Sequence, residues 1–379
     1  MAFCLVSGLA LVASQARAVP RYSARYGQDC RLCHHNPTGG GLRSLYASQY
    51  LVPAEMVMLR LAEEKRAKIQ PQVSESITLG TDIRMVHHRA DRDREPPELN
   101  FFEMQGDVYF RFQADERFSA YLDRGLSETR ELFGLAYILP WTGYVKFGRF
   151  IPDFGWKFDD HRQFTREGKT GDDLLGDLFF DPPANTDVGI EAGIAPGGLA
   201  LTASVFNGTR GVAFDLDDQL GGAARALYRF HLGPVGVGAG GSYWWNEENT
   251  SRRTAGGPFG YLHLGRFTWV GEVDWSKLDP AELRPAPIPP GAPRTALLTS
   301  HELGVQIVPG LDFRAVYNYA DPDIDHDTGY RVKTGGGLDA LVSPFFGISA
   351  MVHAYRNEPG ADVTELTYTQ SEIVLHLFY

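Results

Sequence analysis

Cys30, Cys33 and His34 stand in one run, Cys-Arg-Leu-Cys-His. Two thiols about one helical turn apart can form thioethers with the two vinyl groups of a haem. An imidazole directly after the second thiol can ligate the iron. The run therefore predicts one covalent haem c bound by Cys30, Cys33 and His34, with His34 as the metal ligand. The adjoining His35 cannot reach the opposite face of the same haem. A thiol pair at this spacing also suits a redox disulfide or half a zinc site, but zinc needs a further Cys or His pair nearby.

The iron's sixth position calls for a second donor. Met56 and Met58 are the nearest thioethers in the chain, and thioether opposite imidazole is a common cytochrome arrangement. Pro53 reads as the start of a helix carrying Ala54, Met58, Leu61 and Lys65 at helical spacing. Met58 shares a face with Ala54 and Leu61, which favours it over Met56; packing against the haem edge is the plainer role for either. His87 and His88 are the next candidates. Between thiols and helix, Asn36-Pro37-Thr38-Gly39-Gly40-Gly41 reads as a sharp turn with little bulk, allowing close backbone approach to a porphyrin.

Compartment agrees with this chemistry. Phe3 to Ala13 is an apolar run too short to span a bilayer, and Ala16-Arg17-Ala18 is a small-x-small cleavage site, so residues 1–18 read as a secretory signal. Without them the chain keeps two cysteines, Cys30 and Cys33. The net charge is −11, and nucleic acid is not an expected partner, because such binders present a basic face.

Beyond Ser74 the helix signal gives way to period-two alternation. Phe102, Met104, Val108, Phe110 and Phe112 oppose Glu103, Gln105, Asp107, Arg111 and Gln113. Leu311, Phe313, Ala315, Tyr317 and Tyr319 oppose Asp312, Arg314 and Asn318. Arg331, Lys333 and Asp339 oppose Val332, Leu338, Ala340 and Val342. Connections alternate between short turns, such as Pro140-Trp141-Thr142 and Val308-Pro309-Gly310, and long polar stretches at 87–99, 151–185, 208–219, 246–257, 277–295, 321–329 and 356–364. That regularity marks an outer-membrane barrel, with apolar residues outward and polar residues around an aqueous lumen. The expected fold is mainly β: about 16 antiparallel strands over 71–379, behind a small α-helical haem module at 19–70. Ile373, Leu375, Leu377 and Tyr379 share one face of the final strand, an ending that resembles the terminal signal of bacterial barrels.

An export signal, Tyr22-Ser23-Ala24-Arg25-Tyr26-Gly27 leading into Cys30, Cys33 and His34, and then a barrel resemble the fused monohaem cytochrome c–porin family. That family includes outer-membrane cytochromes that oxidise extracellular iron(II). The resemblance implies outer-membrane lipid around the barrel and a haem module at the periplasmic mouth or in the lumen. It also implies single-electron transfer between an extracellular donor or acceptor, iron(II) among them, and a periplasmic cytochrome. The competing reading is a diffusion porin whose haem-bearing module gates or senses. Whether residues 19–70 sit inside the barrel discriminates the two.

Other polar groups read more plainly. Asp321, Asp323, Asp325 and Asp327 resemble a calcium loop, but His326 stands where glycine is needed and no glutamate follows at the twelfth position. Asp159-Asp160-His161 reads as part of a solvated loop. No hydrolase triad, phosphate loop or zinc signature occurs.

Overall fold

The computed structural model describes residues 20–92, 96–125, 129–157, 163–165, 186–209, 219–248, 251–280, 293–361, 363 and 365–379. The expected signal at 1–18 and the run Asp159-Asp160-His161 lie outside them. Sixteen strands follow one another: β1 (Ile77–Arg92), β2 (Glu98–Gln113), β3 (Phe118–Gly125), β4 (Thr129–Leu139), β5 (Gly143–Phe150), β6 (Asp187–Ile194), β7 (Leu199–Phe206) and β8 (Gly221–Leu232). They continue as β9 (Val235–Glu248), β10 (Ser251–Leu264), β11 (Phe267–Pro280), β12 (Arg294–Val308), β13 (Leu311–Asp321), β14 (Tyr330–Ser343), β15 (Phe346–Glu358) and β16 (Leu366–Phe378). Each pairs antiparallel with its neighbours in sequence, and β1 closes on β16, as Met85 opposite Leu375 shows. Closure leaves no edge with unpaired amides, the condition for a sheet to stand in lipid.

Side-chain parity along these strands follows the sequence. On β13, Asp312 and Asn318 are buried in the lumen while Phe313 and Tyr317 are exposed on the outer wall. On β14, Lys333 is buried and Leu338 exposed. On β2 the expected alternation breaks. A register shift between Arg84 and Met85 sets Arg84 opposite Gln105 but Met85 opposite Glu103, so Met104 is the extra residue of a bulge. A bulge reverses parity. Phe102 therefore pairs with lumen-facing Val86 rather than joining Val108 and Phe112 on the outer wall.

The long connections are shorter than the polar stretches that announce them. β1 runs through His87 and His88 to Arg92, and β10 begins at Ser251, where a connection was expected from 246 to 257. Polar residues continue the ladder by pairing across it: Arg92 with Glu98 at 3.0 Å, and Arg252 with Glu247 at 3.0 Å. Polarity marks where the strands leave the apolar band, not where pairing stops.

Ahead of the barrel come α1 (Pro20–Tyr26), a tight 3-10 turn at Cys30–Leu32, a π-helix at Ala47–Met56 and α2 (Glu63–Arg66). Pro53 does not open a helix. It lies inside the π-helix, whose wider turn removes the Pro's clash with the preceding carbonyls, and the chain turns extended at Val57 (φ −105°, ψ 156°). Met58 consequently shares no helix with Ala54 or Leu61.

Candidate functional site

The segment from Pro20 to Val57 sits inside the barrel and is fixed to its wall on several sides. Arg21, 1% exposed, reaches Glu302 on β12 at 3.1 Å and Asp312 on β13 at 3.5 Å, and also pairs with Asp339 on β14. Arg25 holds Asp312 at 2.6 Å, and Arg314 holds Glu302 at 2.5 Å. Three guanidinium groups thus meet three carboxylates, which is how charge is tolerated away from water. Burial alone would lower the Arg21 pKa; Asp339, Tyr22, Glu302 and Asp312 together hold it well above its ordinary value. On the other side Asn36 donates to Glu131 on β4 at 3.0 Å, and Leu42 N–H donates to Tyr121 Oη on β3 at 3.1 Å. At the short-turn end, Arg31 binds Thr142 (O 2.9 Å, Oγ1 2.7 Å) and Arg43 donates to Pro344 O at 3.0 Å.

Residues 151–157 and 163–165, which follow β5, enter from the long-loop end to meet this plug. Lys157 Nζ and Lys146 Nζ both donate to Thr38 Oγ1, at 2.9 and 3.0 Å. Trp156 N–H donates to Glu272 at 2.8 Å, and its ring packs edge-on to Phe259 with centroids 5.2 Å apart. Plug and inturned loop thus meet inside the lumen.

Within the plug, Cys30 to His34 form a single turn: the amides of Cys33 and His34 both donate to Cys30 O, at 3.1 and 2.9 Å. Asp29 caps the turn by accepting from Arg31 N–H at 3.0 Å. Cys30 and Cys33 carry free thiols, and burial pushes Cys33 up to about 11. Burial, with Arg43 nearby, pushes His34 down to about 4, so the imidazole is neutral at pH 7. Burial and Arg111 likewise push His35 down to about 3. Carrying its proton on Nδ1, His34 donates to Gly41 O at 3.3 Å and leaves the Nε2 lone pair for a metal. Gly41 itself, at φ +62°, lies so close to Tyr121 that an added Cβ would fall 1.9 Å from Tyr121 Oη. The bare turn is thus needed for approach to the wall.

Cys30, Cys33 and His34 line one cavity between the plug and strands β1, β2 and β12–β16. Its volume is about 240 Å³, far above the roughly 10–15 Å³ that holds one water. Met56, 7% exposed, also lines it, packed in a cluster with Leu32 and Cys33. Met58 does not. It is 43% exposed at the rim, where its N–H donates to Leu341 O at 2.9 Å. His87 packs at a tilt against Phe101 (centroids 4.6 Å apart) on the outer face of β1, and His88 shares the lumen parity of Val86 and Ala90 without lining the cavity.

Sequence reasoning missed the donors that the wall brings to this cavity: Met104, Met351, His353 and His376. Parity held the signal for His376, which alternates with Leu375 and Leu377 and so points inward. For Met104 the bulge concealed it. In the acidic loop, Asp323 Oδ1 accepts from Thr295 N–H and Asp325 N–H, both at 3.3 Å, and Oδ2 lies 2.9 Å from His326 Nδ1. Among the described residues no group of three or more His, Cys, Asp or Glu side chains is placed to hold a metal ion.

No family model matches the chain, nor does any curated protein. Its fold is that of outer-membrane porins. OmpT of Vibrio cholerae is similar at 11% identity over 82% of this chain and 100% of that one, with a TM-score of 0.55. An anion-selective porin from Comamonas acidovorans is similar at 11% identity over 80% and 99% of the two chains, with a TM-score of 0.55. OprB of Pseudomonas putida is similar at 7% identity over 86% and 99%, with a TM-score of 0.58. Across this range of identities the likeness is one of architecture: the protein is a sixteen-stranded porin-type β-barrel.

Proposed function

We propose that this barrel stands in the bacterial outer membrane and passes single electrons through one haem c borne by the lumen plug. The observation that carries the reading is the position of Cys30, Cys33 and His34: on one turn, inside a closed wall, facing a cavity. Those residues fit the group. Free thiols on one turn suit the two thioethers, and a neutral imidazole anchored through Nδ1 offers Nε2 to iron. Haem supplies one-electron exchange. The chain's own residues do the rest: the plug excludes bulk water, and Met56, Met351, His353 and His376 stand in the cavity wall as donors for the sixth position. The resembled cytochrome–porin family supplies the expected partners, namely a periplasmic cytochrome and an extracellular donor or acceptor such as iron(II).

A second reading is favoured by the solved structures with this fold, which are porins and channels. In it the barrel is a diffusion porin, and the haem-bearing plug gates or senses. One preparation separates the two. Purified protein is assayed for covalent haem by the pyridine haemochrome, then reconstituted into liposomes enclosing a reducible dye, with iron(II) outside. Electron transfer predicts stoichiometric haem, dye reduction abolished by Cys33→Ala, and low bilayer conductance. Steady open conductance without dye reduction establishes the porin.

A further inference from the structure

Four arginines stand in the wall of the cavity beside His34: Arg21, Arg43, Arg84 and Arg314. Three are matched to carboxylates. Arg21 and Arg314 share Glu302 and Asp339, and Arg84 holds Asp82 at 3.0 Å. Arg43 differs. Its Nη1 is spent on Pro344 O, and its Cζ lies 4.0 Å over the ring of Phe378. Among the described residues no carboxylate lies within ion-pair distance of it. Asp82, which also lines the cavity, is committed to Arg84 and to His376 at 2.9 Å.

We infer that Arg43 receives a carboxylate of the bound group, a haem propionate; this rests on the haem reading above. Arg43 is half-buried and faces the cavity, so a group that fills the cavity takes its guanidinium out of water; with no carboxylate paired to it among the described residues, an anionic part of that group then belongs beside it. Backbone pairing supplies the position. His34 and Arg43 face one another in an isolated antiparallel bridge, and residues so paired send their side chains to the same face. The bridge thus delivers the iron ligand and the cation into one cavity. Phe378 and Pro344 then fix the guanidinium plane and leave Nε and Nη2 without a protein partner among the described residues. That pair of donors is the fork that binds a carboxylate bidentately.

The test uses the full chain in detergent as wild type, Arg43→Gln and Arg43→Lys. Covalent haem is counted by the pyridine haemochrome, the potential is read by spectroelectrochemical titration, and the propionate bending mode by resonance Raman. Removing a positive charge beside the haem disfavours the reduced form. Arg43→Gln should therefore lower the reduction constant about tenfold, about 59 mV for one electron, and shift the propionate mode. Arg43→Lys should keep most of the potential yet still shift the mode, because a point charge replaces a fork. Unchanged potential and mode in Arg43→Gln overturn the assignment and leave the haem reading standing. If Arg43→Gln fails to fold, an unmoved mode in Arg43→Lys overturns it, as would a mode that moves on adding acetate to wild type, which marks a site for free anions. Wild type without covalent haem overturns both.

Discussion

Tyr121 belongs to a wall in which one rule, lumen then lipid, repeats along sixteen strands. Leu42, whose amide donates to Tyr121 Oη at 3.1 Å, belongs to a plug with no repeat at all. The wall is held by a continuous hydrogen-bond ladder and by lipid on its apolar face. The plug has one small apolar cluster of its own, Ala47, Leu51, Val52, Met56 and Val57; it sets only Ala24 and Leu42 into apolar clusters with the wall and otherwise depends on polar anchors. So few buried side chains fall short of offsetting the chain entropy of nearly forty ordered residues. The wall should stand without the plug, and the plug should not stand without the wall.

The strongest way to break that comparison is to remove the proposed covalent link. A Cys30→Ser/Cys33→Ser variant should lose all covalent haem on a haem-stained gel, yet keep the heat-shifted mobility of a folded barrel. A barrel that fails to form would show that wall and plug are one cooperative unit. Next in size is Arg21→Met, which leaves Glu302 and Asp339 with Arg314 as their one paired cation among the described residues. Breaking a buried ion network costs about 3–5 kcal/mol. The cost should fall on plug docking, seen as trypsin cleavage at Arg25 and a rise in conductance.

A smaller effect is expected from Gly41→Ala, which places a Cβ against Tyr121 Oη and at positive φ. Overpacking typically costs about 1–3 kcal/mol. Tyr121→Phe in the same chain should restore part of the loss, because the nearest ring atom would stand 3.1 Å away. Strict additivity of the two substitutions, measured by plug protection, would contradict the contact. Smallest of all, Glu247→Gln removes an exposed pair with Arg252 and should move unfolding by less than about 0.5 kcal/mol. A larger shift would mean that the hairpin tip carries wall stability.

Legibility in sequence divides along the same line. Strand number and most boundaries could be read, because a wall between water and lipid imposes period two on every residue. β13 and β14, for example, run where the alternation puts them, at Leu311–Asp321 and Tyr330–Ser343. The bulge at Met104 is instructive, since a single inserted residue reverses parity without changing composition. The plug offered a motif but no period. Cys30, Cys33 and His34 could be picked out by chemistry, whereas Met58 was misplaced because Pro53 lies within a π-helix. Arg21, the most buried anchor, looks in sequence like any surface arginine; only its three carboxylates, 281 to 318 residues away in the chain, give it a role.

The seam between β1 and β16 sets an order of events. It joins the first strand to the last, so the wall cannot shut until β16 has arrived, and whatever it encloses must be inside by then. The plug precedes β1 in the chain and so reaches the periplasm before any part of the wall. On the proposed reading, haem attachment belongs to that interval, while Cys30 and Cys33 are still open to the attaching enzyme. Maturation would then run in one direction only, cofactor first and enclosure second. A chain that closed empty would have no later opportunity to be filled.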